Sequence, residues 1–118
     1  MRVLVILPTY NERDNIAAVV PAVLGQGERF DVLVVDDGSP DGTGEVAEQL
    51  KARHAGRVDV LHRAGKMGLG TAYIEGFRYA LARDYTHVQQ MDCDFSHDPA
   101  MLPTFLAASE TADLVLGS

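Results

Sequence analysis

Asp92 and Asp94 flank one residue, Cys93, at the end of an apolar run. On an extended strand, side chains two apart point the same way. Two such carboxylates repel unless a cation lies between them or their ligands. A hard divalent cation, Mg2+ or Mn2+, suits the pair together with the phosphate oxygens of a ligand. The plainer alternative has one Asp capping a turn and the other solvated, and an isolated Asp-x-Asp would be read that way. The neighbouring loops favour the metal. Cys93 and His97 lie close in sequence, but no second soft ligand follows at a regular spacing, which argues against zinc.

Three other stretches carry chemistry. Asp36-Asp37-Gly38-Ser39-Pro40-Asp41-Gly42-Thr43 is rich in turn formers. Asp41 or Thr43 could cap a following helix, whereas Asp37, at the edge of a sheet, could accept hydrogen bonds from a base or ribose. Pro8-Thr9-Tyr10-Asn11-Glu12 has two open readings. It is either a plain strand exit and helix entry, or a place where Tyr10 stacks on a ligand and Glu12 accepts from hydroxyls. Arg63 to Tyr73 holds Gly68-Leu69-Gly70, but Tyr73 stands where a dinucleotide fingerprint needs its third glycine. Arg63 and Lys66 are its cations. They could meet phosphate oxygens or form a solvated basic turn.

The elements that must position these loops follow from hydrophobic patterning. Strands are predicted at Val3–Leu7, Val32–Asp36, Val58–His62, His87–Met91 and Leu114–Leu116; the first two are nearly continuous apolar runs, as in parallel strands covered on both faces. Ile16, Val19, Val20 and Val23 make a helical stripe; Val46, Ala47 and Leu50 make a second, and Ile74, Phe77 and Leu81 a third. Asp98-Pro99, ahead of Leu102, Phe105 and Leu106, reads as an N-cap with proline at the first helical position. The alternation predicts an α/β fold with a mainly parallel sheet flanked by helices and right-handed crossovers. In such sheets ligands sit beyond the carboxyl ends of the strands, where all four loops fall.

The chain has 118 residues, 47% hydrophobic and 23% charged, with a formal net charge of -7. That balance argues against nucleic acid, which favours a basic face. A phosphate ligand would need a cation to offset the acids. Cys93 is the single cysteine, so no internal disulfide forms, and a reducing, cytoplasmic setting is expected. No apolar run approaches the roughly 20 residues that span a bilayer.

Together the four loops resemble the family 2 glycosyltransferases of GT-A fold, over Pro8 to Ser118. Ser39-Pro40-Asp41-Gly42-Thr43, Gly68-Leu69-Gly70-Thr71-Ala72-Tyr73 and Met91-Asp92-Cys93-Asp94-Phe95-Ser96-His97 resemble, more narrowly, the dolichyl- or polyprenyl-phosphate mannosyltransferases. The resemblance implies transfer of mannose, with inversion, from GDP-mannose to a polyprenyl or dolichyl phosphate. It implies that Pro8, Tyr10, Glu12, Val35 and Asp37 surround the guanosine. It places Asp92, Cys93 and Asp94 at the diphosphate and the metal, with Asp94 as direct ligand and Ser96 as a second, and Asp92 and Asp94 as the catalytic pair. Cys93 stands where the family usually has alanine.

The resemblance further implies work at the cytoplasmic face of a membrane, with any anchoring segment or subunit outside this chain. Residues 1–118 are then expected to be the nucleotide-sugar-binding part of a GT-A domain, stopping before the acceptor-binding half and inactive in transfer when alone. One alternative is a family 2 transferase using a UDP- or dTDP-sugar. Another is a Mg2+-dependent phosphoacceptor domain, which wants an acidic pair after its first strand and a lysine after its fifth. Pro8-Thr9 and Gly117-Ser118 stand at those places.

Overall fold

A computed structural model describes residues 2–65, 69–91, 93 and 116–117. The described elements are β1 (Val3–Thr9), α1 (Arg13–Leu24), β2 (Phe30–Asp36), α2 (Thr43–Arg53), β3 (Val58–His62), α3 (Leu69–Leu81), β4 (His87–Gln90) and β5 (Leu116–Gly117). The strands form one sheet in the order β3-β2-β1-β4-β5, and every pairing is parallel. The order reverses at β1, so the sheet has its switch point between β1 and β4, where open α/β sheets bind ligands.

Alternation along β1 and β2 sorts their side chains onto two layers. Val3, Val5, Leu7, Val32 and Val34 pack with Ile16, Val19, Val20 and Val23 of α1 and with Ala47 and Leu50 of α2. Leu4, Ile6, Leu33 and Val35 pack under α3 with Ala72 and Ala80. Two helices on one face and one on the other are what right-handed crossovers dictate for this strand order.

Four strand bounds need correction, the smallest being β4, which ends at Gln90 rather than Met91. β1 runs on through Pro8 and Thr9, which pair with Val35 and Asp36. A proline is tolerated there because its polar edge faces the β4 side, where ladder pairing ends at Ile6. β2 starts earlier, at Phe30, and β5 is Leu116–Gly117 rather than Leu114–Leu116.

The third helix also turns a different face to the sheet. Ile74 and Leu81, expected inside, are 54% and 61% exposed, whereas Ala72 and Ala80 are buried. Gly76 gives the reason: a Cβ there would lie 2.5 Å from Ile6 Cδ1. The helix rides so close to β1 that small residues must line its inner side, with Tyr73, Phe77 and Tyr79 packed partly beside them. The expected cap at Asp98-Pro99 and the stripe that follows lie outside the described residues.

Candidate functional site

The loop after β1 and the loop after β2 are tied together atom by atom. Asp36, the last residue of β2, is the hub. Its Oδ1 accepts from the Thr9 hydroxyl at 2.9 Å and the Ser39 hydroxyl at 2.6 Å, and its Oδ2 from the Ser39 backbone N–H at 3.2 Å. Ser39 Oγ accepts in turn from the backbone N–H of Asn11 at 2.9 Å. Asn11 sits at φ 55, a conformation asparagine tolerates better than most residues.

Further along, Thr43 Oγ1 accepts from the Glu12 N–H at 3.0 Å, and Asp41 Oδ2 from the Arg13 N–H at 3.3 Å. Asp41 Oδ1 accepts from both the N–H and the hydroxyl of Thr43. The hydroxyl bond is the main reason that the Asp41 carboxyl lies below the ordinary carboxylate range. Asp41 and Thr43 thus hold the starts of α1 and α2 together; the N-cap of α2 itself is Gly42, with no side-chain cap bond, so neither caps the helix as the sequence allowed.

This lattice fixes the first group of candidates. Pro8 and Val35 are register partners and both are buried, so they form a floor. Tyr10, the residue after β1, is half-buried. Glu12 Oε2 accepts from Asn15 Nδ2 at 2.9 Å, one turn into α1. Asp37 donates its backbone N–H to the Thr9 carbonyl at 3.0 Å, which places it at the edge of the same floor.

Asp37 lies at the sheet edge but is largely covered: it is 7% exposed, and its Oδ1 accepts from Arg63 Nε at 2.5 Å. Arg63, for which the sequence left both a phosphate contact and a solvated basic turn open, has a side chain only 3% exposed and engaged with Asp37. Sequence reading had no means to join residues from two different strand ends. Gly38 is what lets these ends approach. At φ 71 it lies against the next strand exit, and a Cβ there would come within 3.3 Å of the Arg63 carbonyl oxygen.

The second group lies beside β1. The Met91 N–H donates to the Ile6 carbonyl at 3.1 Å, so the exit of β4 runs along β1 just below the floor. Cys93 is buried in the same apolar cluster as Leu7 and Met91, a packing residue rather than a reactive thiol. Asp92, Asp94, Ser96 and Lys66 lie outside the described residues. Among the described residues there is no group of three or more His, Cys, Asp or Glu side chains placed to hold a metal.

A separate cavity of about 510 Å³ opens beside α2, between Asp36, Asp41, Glu45, Glu48 and His62. His62 Nε2 pairs there with Glu48 Oε1 at 2.8 Å. Its acidic wall would repel a polyphosphate.

Strand order, switch point and loops at one sheet edge define an open α/β domain with its ligand site at the carboxyl ends of the strands. The chain belongs to glycosyl transferase family 2, whose profile matches residues 4–118. It is 51% identical over 118 residues to the undecaprenyl-phosphate mannosyltransferase of Micrococcus luteus, covering 100% of this chain and 48% of that protein. It is 48% identical to the polyprenol monophosphomannose synthase of Mycolicibacterium smegmatis, covering 99% of this chain and 44% of that one. The chain thus spans about half the length of the curated relatives it matches.

Among solved structures it is similar to a mannosyltransferase from Pyrobaculum calidifontis in complex with GDP-Man and Mn2+. The TM-score is 0.58 and the identity 27%, over 67% of this chain and 24% of the other. It shares its fold with glucosyl-3-phosphoglycerate synthase from Mycobacterium tuberculosis, at a TM-score of 0.65 and 23% identity, over 95% of this chain and 40% of that one. Among the described residues, no helix is long and apolar enough to cross a membrane.

Proposed function

We propose that this chain holds the donor in a transfer of mannose from GDP-mannose to a polyprenyl phosphate. One observation carries the reading: the Pro8–Val35 floor, with Asp37 at its edge, lies beside the exit of β4, which leads into Asp92-Cys93-Asp94. A nucleoside and its diphosphate need such a run of sites in that order. The polyprenyl acceptor is supported by the likeness to the two bacterial enzymes, and the GDP-linked donor by the archaeal mannosyltransferase.

In this reading Pro8, Tyr10, Glu12, Val35 and Asp37 surround the guanosine, and Asp92, Asp94 and the backbone of Cys93 meet the diphosphate. The donor set of carboxylate and hydroxyl oxygens fits Mg2+ or Mn2+; Asp94, with Ser96, would hold the ion. When bound, such an ion acts as a Lewis acid on the departing diphosphate.

The reaction is a single displacement. A phosphate oxygen of the acceptor forms a bond to the anomeric carbon of mannose, the bond from that carbon to the diphosphate oxygen breaks, and GDP leaves with inversion. A phosphate monoester has a second pKa of about 6 and is already largely anionic at neutral pH, so no general base is assigned. A polyprenyl acceptor supports a proposed site of action at a membrane surface, taken here as the cytoplasmic face.

The test is calorimetry with GDP-, UDP- and dTDP-sugars, with and without Mn2+. GDP-mannose should bind best, and only with the cation. Asp94→Asn should weaken binding far more than Asp98→Asn. Preference for a UDP- or dTDP-sugar would move the chain to another member of the family's range. Equal affinities for the two Asn variants in Mn2+ would remove Asp94 from the metal site.

A further inference from the structure

Arg63 joins three elements through one side chain. It follows β3; its Nε donates to Asp37 Oδ1, and its Nη1 donates to Thr71 Oγ1 at 2.8 Å and lies 3.7 Å from Glu75 Oε1. Thr71 and Glu75 stand in the opening turns of α3. Only a planar fork reaches both ways at once; a lysine ammonium is a single point of charge on a flexible stem. The guanidinium is almost wholly buried, and a buried ion pair of this kind holds its carboxylate in one orientation.

We infer that Arg63 is a positioning residue for the nucleoside end of the donor, aiming the Asp37 carboxylate and tying that aim to the first turns of α3. This rests on the reading of Asp37 as a nucleoside contact. The ligand chemistry is that of a nucleoside's donor groups, ribose hydroxyls or the N–H edge of a base, met by a carboxylate that cannot swing away. The phosphates lie elsewhere, so Arg63 should leave their binding alone.

Calorimetry on the 118-residue chain in Mn2+, with GDP and inorganic pyrophosphate as probes, separates the possibilities. Arg63→Lys should weaken GDP by about tenfold while pyrophosphate affinity holds. The double variant Asp37→Asn with Arg63→Lys should bind GDP no worse than Asp37→Asn alone, because nothing is left to aim. Thr71 is exposed, so Thr71→Val tests the α3 side without a buried change. It should weaken GDP by about twofold to fivefold, with a fall in melting temperature no greater than the loss of one hydrogen bond explains, and it decides the matter where Arg63→Lys does not fold.

Parallel losses for GDP and pyrophosphate would return Arg63 to the phosphates. Additive losses in the double variant would separate it from Asp37, and an unchanged Thr71→Val would separate it from α3. Each of these overturns the inference while the proposed function stands. Failure of the unaltered chain to bind GDP overturns both.

Discussion

Asp37 carries a structural duty as well as the one proposed at the nucleoside. Removing one partner of a buried ion pair strands the other. Asp37→Ala should therefore lower unfolding free energy by about 3 kcal/mol as well as weaken GDP. Tyr10→Ala, in a half-buried loop position, should lose GDP affinity with little change in melting temperature. Denaturant titration of both variants without ligand checks this; equal stabilities would place Asp37 outside the load it shares with Arg63. The double duty was not legible in the sequence. Asp36-Asp37-Gly38-Ser39 announces a turn at a strand end, and the spacing of Ser39 from Asp36 fits the local bond that forms. Nothing in a local pattern tells which distant cation will be folded against Asp37, because that is decided by strand order.

The strands were the readable elements. β1 and β2 are buried on both faces, so nearly every position must be apolar, and the pattern is hard to mistake. α3 was legible as a helix but not in its facing. Periodicity finds large apolar side chains, and here the sheet takes small ones, because Gly76 seats the backbone against Ile6. Gly76→Ala should cost about 1–3 kcal/mol by overpacking, although alanine favours helix. A rise in melting temperature would show that α3 can lift off β1 freely.

The same helix bears an alkaline limit. Tyr79 donates its hydroxyl to Asp59 Oδ2 of β3 at 2.6 Å. Burial, then that bond, raises its pKa from 10.0 to about 12. The neutral phenol is favoured in the folded state, so its contribution is complete below the unfolded value of 10.0. It is lost as pH rises toward the folded value of about 12. Tyr79→Phe should flatten the fall in stability across that interval. An unchanged pH profile would assign the fall to other groups.

At the scale of the molecule, the clustering of the loops at one edge was legible, since parallel strands send all their carboxyl ends the same way. The carboxylates Asp92 and Asp94 lie outside the described residues, and their place rests on sequence and on the course of β4. The sheet order also has a consequence in time. β1 is zipped on one side to β2, which follows it closely, with Val3 opposite Phe30. On its other side it is zipped to β4, with Val3 opposite His87. Closing the longer loop is slower, because more chain entropy is lost before the contact forms. The Pro8–Val35 floor, proposed to hold the nucleoside, should therefore assemble early, from β1, β2 and the knot of hydroxyls around Asp36, while β1's far edge still waits for β4. Pulse-labelled hydrogen exchange during refolding should protect the amides of β2 before the Met91 amide. Until that second zipper closes, the chain carries an open strand edge. Refolding yield should accordingly fall with protein concentration in this early interval and recover once Met91 is protected, so the half of the site that forms first is also the half that exposes the chain to misassembly.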